Sequence, residues 1–290
     1  MKHQIDPKID CVFKALLGSE DNLNLLVHFL NAIIGSELAM PLATVDIINP
    51  YNDKEYLEDK LSIVDVKARD SSGNIYQIEI QLVNFANIKE RILYNWADIY
   101  SQQLQNGEGY YQLRPTYSIW LLSDNLIKED TDYIRTYKLR DHNGRALNNH
   151  CGIWLLELQK FSDNHIENEQ QRWIKFFKDG EQLNDESNLP DWMTTTEMKQ
   201  AMKTLKQFSD KDRDYHAYQA RQNFIREQLT IQHELDEERK AKAEAIQQKD
   251  IAVQQKDIAV QQKDIAVQQK EAALKELEHL KALLAKNNLH

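Results

Sequence analysis

Residues 63–82 read IVDVKARDSSGNIYQIEIQL, and this stretch decides the fold of the chain. Apolar and polar residues alternate on both sides of a central DSSGN segment, which is the pattern of two strands joined by a tight turn. Aspartate, serine, glycine and asparagine all accept the backbone geometry that such turns require. One face of the predicted hairpin collects the polar side chains of both strands, which are Asp65, Lys67, Arg69, Gln77, Glu79 and Gln81.

Two of these polar side chains are carboxylates on neighbouring strands. Because adjacent strands lie about 4.8 Å apart, Asp65 and Glu79 can share a single divalent ion if both point to that face. Mg²⁺ is commonly held by one or two carboxylates plus a substrate phosphate, and it stabilises the charge that develops in phosphodiester hydrolysis. Gln81 emerges two residues beyond Glu79 on the same face, close to where an attacking water would lie. Carboxylate pairs are also common on solvated sheet faces, so the hairpin alone leaves a purely structural role open.

The segments before the hairpin are helical in pattern. Asp6 and Pro7 satisfy the rules for a helix start, as N-cap and first helical residue respectively. Apolar residues then recur at helical spacing until Gly18, which predicts the end of this helix, and a second apolar helix follows. Asp10 and Lys14 lie one turn apart in the first helix, which favours a simple i,i+4 ion pair over a role in an active site.

Strand and helix patterns then alternate along the chain. A short strand over residues 44–48 precedes the hairpin, an amphipathic helix over 87–105 follows it, and the apolar run 116–122 predicts a strand buried on both faces. Two further strands are predicted within 133–140 and 152–161. This order predicts an α/β fold with a mixed central sheet flanked by helices.

The C-terminal part of the chain is helical in pattern from about residue 170 and ends in a tail of a different kind. Residues 247–267 are three copies of QQKDIAV. A seven-residue period without glycine or proline is typical of a coiled coil, but the consecutive Ile, Ala and Val spread over about 200° of helix instead of forming one seam. We therefore expect a long helical tail that self-associates weakly, if at all. A homo-oligomer through this C-terminal helix and a solvated helical spacer both stay open.

Composition limits the classes of function. The chain has 290 residues and a formal net charge of −10, so any DNA site must be a local basic patch or be helped by bound metal. Cys11 and Cys151 are the only cysteines, and we interpret both as free thiols in a reducing cytoplasm. No stretch approaches the roughly 20 apolar residues of a membrane span, so we expect no membrane partner.

The hairpin and its neighbours carry a family resemblance. It rests on four motifs, which are DCVFKALLG at residues 10–18, DVKARD at 65–70, IEIQ at 78–81 and RILYNW at 91–96. In this order they resemble the PD-(D/E)xK nucleases with their restriction-endonuclease-like core. More narrowly, they resemble the recombination-promoting nuclease family, also described as PD-(D/E)xK nuclease family transposases. The resemblance implies a metal-dependent DNA endonuclease that promotes recombination, with Asp65 and Glu79 as ligands of Mg²⁺ or another divalent cation.

Two positions depart from the superfamily pattern. The lysine of the motif is replaced by Gln81, which can orient a water or a phosphate oxygen but carries no charge, and Val64 stands where the pattern has proline. Lys67, on the same face as the aspartate, could supply the missing cation. Arg91 and Tyr94, early in the helix after the hairpin, could contact the scissile phosphate of DNA, and a solvated helix face would explain them equally well.

The same reading predicts how the chain is divided. Residues 1–128 would form the nuclease core, residues 129–225 a strand pair and helical extension of that domain, and residues 226–290 the helical repeat tail. Two rival functions remain at this point. One is an inactive nuclease fold that binds DNA or a partner without cutting, and the other is an oligomeric scaffold organised by the tail.

Overall fold

A computed structural model describes five ranges of the chain, which are residues 1–49, 64–83, 87–162, 165–183 and 189–287. Ile63, with which the quoted stretch begins, lies outside the described residues. The chain divides into two compact units, residues 1–225 and residues 226–290. The predicted boundary between residues 128 and 129 falls inside the first unit and stays a prediction.

The first unit contains one mixed sheet. Its described strands are β1 (Val45–Ile47), β2 (Val66–Asp70), β3 (Ile75–Gln81), β4 (Thr116–Leu122), β5 (Ile134–Tyr137) and β6 (Cys151–Glu157). The order across the sheet is β1-β2-β3-β4-β6-β5. The central strands β3, β4 and β6 run parallel, whereas β1, β2 and β5 join them through antiparallel pairs. The mixed central sheet predicted from the sequence is therefore confirmed.

Helices cover both faces of this sheet. Apart from short 3₁₀ turns, the helices of the described residues are α1 (Asp10–Leu17), α2 (Leu23–Ile34), α3 (Ile88–Ser101), α4 (Glu169–Asp179), α5 (Thr196–Asp210) and α6 (Asp212–Asn287). Side chains of α1, α2, α4 and α5 form the larger core with one face of the sheet. On the opposite face, α3 packs through Ile88, Ile92 and Trp96 against apolar residues of β4 and β6.

The start of α1 differs from the prediction. The helix begins at Asp10 and not at Pro7. The carboxylate of Asp6 accepts a hydrogen bond from the N–H of Lys8 at 2.9 Å, which makes a local turn instead of a helix cap. The N–H of Asp6 donates to the hydroxyl of Tyr218 at 3.0 Å. A tertiary contact therefore accompanies a non-helical conformation in this segment, for which local rules predict a helix.

The polar side chains of β3 are inside the protein, whereas Arg69 of β2 is exposed. All seven residues of β3 are buried, because α3 covers the face that carries Gln77, Glu79 and Gln81. Strict alternation is normally the pattern of a strand with one solvated face. Here both faces of β3 are covered. Most apolar residues of the strand belong to the larger core, and its polar residues lie in a second interior layer beneath α3.

The described residues of the second unit, 226–287, belong to α6. Their side chains are exposed throughout residues 233–283, so the predicted helical tail is confirmed, whereas a coiled coil and a homo-oligomer stay predictions. None of the described helices combines the length and the apolar character that crossing a membrane requires.

Candidate active site

The turn of the hairpin determines which residues of β2 and β3 face each other. The carboxylate of Asp70 accepts main-chain N–H groups two and four residues further on, each at 2.9 Å, and Gly73 adopts a φ of +86°. This left-handed conformation carries no steric penalty for glycine. The ladder beyond the turn pairs Lys67 with Gln77.

Continued by two residues, this register places Asp65 across from Glu79. Glu79 is only 3% exposed, and Oδ2 of Asp65 accepts a hydrogen bond from the N–H of Ile80 at 3.1 Å. Burial raises the pKa of Glu79 well above its ordinary value, and the negative charge of Asp65 raises it further. The two carboxylates therefore meet inside the protein, where both cannot be ionised cheaply without a cation.

Glu79 also accepts a hydrogen bond from a side chain of its own strand. Nε2 of Gln77 donates to Oε1 of Glu79 at 3.3 Å. Gln77 is fully buried, so this contact is shielded from bulk water. Gln77 was not singled out from the sequence, although it precedes Glu79 by two residues on the same face.

Gln81 links Glu79's strand to α3. Its Oε1 accepts a hydrogen bond from Arg91 at 3.1 Å, and its Nε2 donates to the carbonyl of Val83 at 2.6 Å. The Arg91 guanidinium also lies 5.6 Å from the centre of the Trp120 ring. The positive charge held there lowers the pKa of Glu79, against the larger effects of burial and Asp65.

Lys14 supplies a cation that the sequence did not assign to the site. Its Nζ lies 3.3 Å from Oδ1 of Asp65. Asp10 instead binds Arg221 of α6, whose Nε is 2.8 Å from each of its carboxylate oxygens. The predicted i,i+4 pair between Asp10 and Lys14 is therefore wrong, because each residue has an oppositely charged partner on another element.

The remaining predicted residues lie on the same side of the sheet or next to it. Lys67 is 9% exposed and lies opposite Gln77 in the ladder, on the face that carries Glu79. Tyr94 is 46% exposed on α3, in the turn after Arg91. The roles of Lys67 and Tyr94 stay predictions.

The donor set fits a hard divalent cation held partly by other ligands. No group of three or more His, Cys, Asp and Glu side chains suited to a metal occurs in the part of the chain that the structure describes. Mg²⁺ nevertheless needs only one or two carboxylates when waters and a substrate phosphate complete its shell. A buried glutamate with a raised pKa beside an aspartate is a pair that a cation would stabilise in its ionised form.

A mixed sheet in which a hairpin brings an aspartate beside a buried glutamate, with a Glu-x-Gln sequence on the central strand, defines a nuclease-like α/β protein. The family model for PD-(D/E)XK nuclease family transposases matches residues 7–234, and the chain belongs to this family. The matched range contains every residue of the site described above. Comparisons with curated proteins and with solved structures gave no match.

Proposed function

We propose that the protein is a metal-dependent DNA endonuclease that hydrolyses phosphodiester bonds and thereby promotes DNA recombination. The observation that carries this proposal is the pair formed by the buried Glu79 and the half-buried Asp65, with Lys14 at Asp65 and Arg91 at Gln81 as nearby cations. Family membership supports a nuclease-like function and DNA as the partner. The paired carboxylates support the dependence on a divalent cation.

Asp65 and Glu79 would hold Mg²⁺ or another divalent cation. When bound, such an ion neutralises charge on the phosphoryl oxygens and makes a water more acidic. The protein contributes the placement of the two carboxylates, because the hairpin register and the hydrogen bond from Ile80 orient Asp65 while α3 excludes water from Glu79.

Positive side chains around the pair would contact the DNA backbone. Lys14 is 42% exposed at its side chain, so its ammonium group can leave Asp65 for a phosphate oxygen. Arg91 is held by Gln81, and Tyr94 lies one turn further along α3. In this arrangement Gln81 positions the attacking water with its remaining amide hydrogen and also orients Arg91. Lys67 would steady the phosphate from the neighbouring strand.

The test is plasmid nicking by the full chain, with Mg²⁺ and with a chelator. Asp65→Asn removes a negative ligand but keeps an oxygen that can accept from the N–H of Ile80. We expect nicking to fall by more than about 100-fold, since changes outside the first ligand shell already cost about 10- to 100-fold. Asp46→Asn is the matched control, because Asp46 is an exposed aspartate on the adjacent strand β1.

Equal nicking by Asp65→Asn and the unsubstituted chain would contradict the site. Nicking that persists in the chelator would contradict the dependence on metal.

Two observations favour a second candidate, a nuclease fold that binds DNA without cutting it. Lys14 already neutralises Asp65, and the motif's lysine is absent at Gln81. A binding module would shift the mobility of DNA in both Mg²⁺ and chelator and leave the plasmid supercoiled in both.

A further inference from the structure

A chain of hydrogen bonds runs behind Glu79 through side chains that no motif contains. Nε1 of Trp120 donates to Oγ of Ser118 at 2.8 Å, and Oγ of Ser118 donates to Oε1 of Gln77 at 3.0 Å. Nε2 of Gln77 then donates to Oε1 of Glu79 at 3.3 Å. We call Trp120, Ser118 and Gln77 the relay. All three are fully buried.

The parallel pairing of β3 and β4 assembles the relay. Gln77 lies opposite Ser118 and Glu79 lies opposite Trp120 in this ladder. Because side chains two residues apart on a strand share a face, all four project into the layer beneath α3. The neighbours in that layer are apolar side chains, among them Ile92, Trp96 and Leu122.

The direction of the relay is determined by its first member. An indole N–H can only donate, and a serine hydroxyl has a single hydrogen. Ser118 therefore accepts from Trp120 and gives its hydrogen to the carbonyl oxygen of Gln77. The carbonyl oxygen of the Gln77 amide faces Ser118, so its NH₂ group faces Glu79. Glu79 is therefore the acceptor of this hydrogen bond.

Stability does not account for such a relay. Buried polar groups cost free energy unless they are hydrogen-bonded, and apolar side chains of the same shape can replace a bonded pair with little loss. The relay ends on the carboxylate of Glu79 in the proposed site. Apolar side chains in place of the relay could not orient this carboxylate, because they donate no hydrogen bond.

We propose that Gln77 is a positioning residue of the proposed nuclease site. Ser118 and Trp120 set the orientation of its amide, the amide holds one carboxylate oxygen of Glu79, and the other oxygen is left for the divalent cation shared with Asp65. Hydrogen-bond partners of metal ligands commonly tune metal affinity in this way. The inference rests on the proposed function, because it assumes that Glu79 is a ligand.

The experiment is a calorimetric titration of the full chain with Mn²⁺ alone. Gln77→Leu and Ser118→Ala should bind Mn²⁺ about 10- to 100-fold more weakly than the unsubstituted chain. Ser118→Thr keeps the hydroxyl and should bind normally. Thr116→Val is the matched control. Thr116 is fully buried on the same strand and face as Ser118, but its hydroxyl accepts a hydrogen bond from Gln103 and takes no part in the relay.

A second readout separates positioning from general damage. At saturating Mn²⁺ the plasmid-nicking rate of Ser118→Ala should approach that of the unsubstituted chain, because affinity and not chemistry has been lost. If Gln77→Leu does not fold, judged by circular dichroism, Ser118→Ala and Ser118→Thr decide the matter.

Two failures are distinguishable. If the unsubstituted chain binds Mn²⁺ and both relay variants bind it within about twofold of that affinity, well short of the expected loss, the relay is overturned and the site stands. If the unsubstituted chain binds no Mn²⁺, the proposed metal site fails and the inference fails with it.

Discussion

Glu79 is the residue whose protonation reports most directly on the site. Its pKa is raised by burial and by Asp65, so the folded, metal-free chain keeps this proton to a higher pH than the unfolded chain does. Between the unfolded pKa of about 4.3 and the raised folded pKa, the folded state binds more protons. The free energy of unfolding therefore falls as the pH rises through this window.

Glu79→Gln should remove that pH dependence. Measured by urea unfolding in a chelator, the variant should gain stability relative to the unsubstituted chain as the pH rises above about 4.3. Glu157→Gln is a control of opposite sign. Burial raises the pKa of Glu157, but the N–H of Ile127 and the ammonium of Lys160 outweigh it and leave that pKa lowered. The Glu157 variant should be less stable above about pH 4.3, and its deficit should shrink as the pH falls.

Lys14 is predicted to oppose metal binding and to assist cleavage. Lys14→Met removes a positive charge 3.3 Å from Asp65, so the variant should bind Mn²⁺ about two- to fivefold more tightly, the range expected for a partly exposed ion pair of up to about 1 kcal/mol. Its nicking rate should fall by at least about tenfold, because a group that stabilises charge in the transition state is lost.

Two lysine variants control this experiment. Lys14→Arg retains the charge, and Lys8→Met removes an ion pair with Asp6 in the same N-terminal segment; both should leave Mn²⁺ affinity near that of the unsubstituted chain. Undiminished nicking by Lys14→Met would contradict the proposed role of Lys14 in cleavage.

At the scale of elements, the strands were predictable because their patterns are local. The apolar run at residues 116–122 coincides with β4, and the alternation and turn chemistry of residues 63–82 predicted a hairpin whose register the structure supplies. The end of α3 was less well predicted, since the helix stops at Ser101 and not at residue 105.

The contacts that build the site were predictable only in part, because they are made between elements. Alternation in β3 indicated which side chains share a face, but only the packing of α3 shows that Glu79 is buried. The i,i+4 spacing of Asp10 and Lys14 favoured a local pair. In the structure Asp10 pairs with Arg221 of α6, and Lys14 pairs with Asp65, which directly precedes β2. The sequence around Gln77 and Ser118 contains no motif that indicates a role for them. They meet only because β3 and β4, which are far apart in sequence, pair in the sheet.

At the scale of the whole molecule, the first unit includes the beginning of α6. The hydroxyl of Tyr218 accepts from the N–H of Asp6, and Arg221 binds Asp10 at the start of α1. Tyr218 is 2% exposed and belongs to the main core. These contacts fix the segment before α1 and the first residue of α1, which is the helix that carries Lys14.

This arrangement predicts opposite results for two truncations. A chain ending at Ile225 keeps every contact just described, so it should unfold cooperatively and nick plasmid at the rate of the full chain. A chain ending at Asp210 loses Tyr218 and Arg221. Since loss of one large buried side chain costs about 3–5 kcal/mol, this shorter chain should unfold at a much lower urea concentration and lose nicking.

The same pair of chains tests whether the tail organises an oligomer. Residues 226–290 carry the QQKDIAV repeats, whose apolar side chains are about half exposed in the single chain, as for Ile258 at 55% and Val260 at 51%. Such residues would be covered if tails associate. If they do, the number of chains per particle, obtained by light scattering as the particle mass divided by the mass of one chain, should be higher for the full chain than for the chain ending at Ile225. An unchanged assembly after truncation would place the association surface in the first unit, and a monomeric full chain would make the tail a solvated spacer.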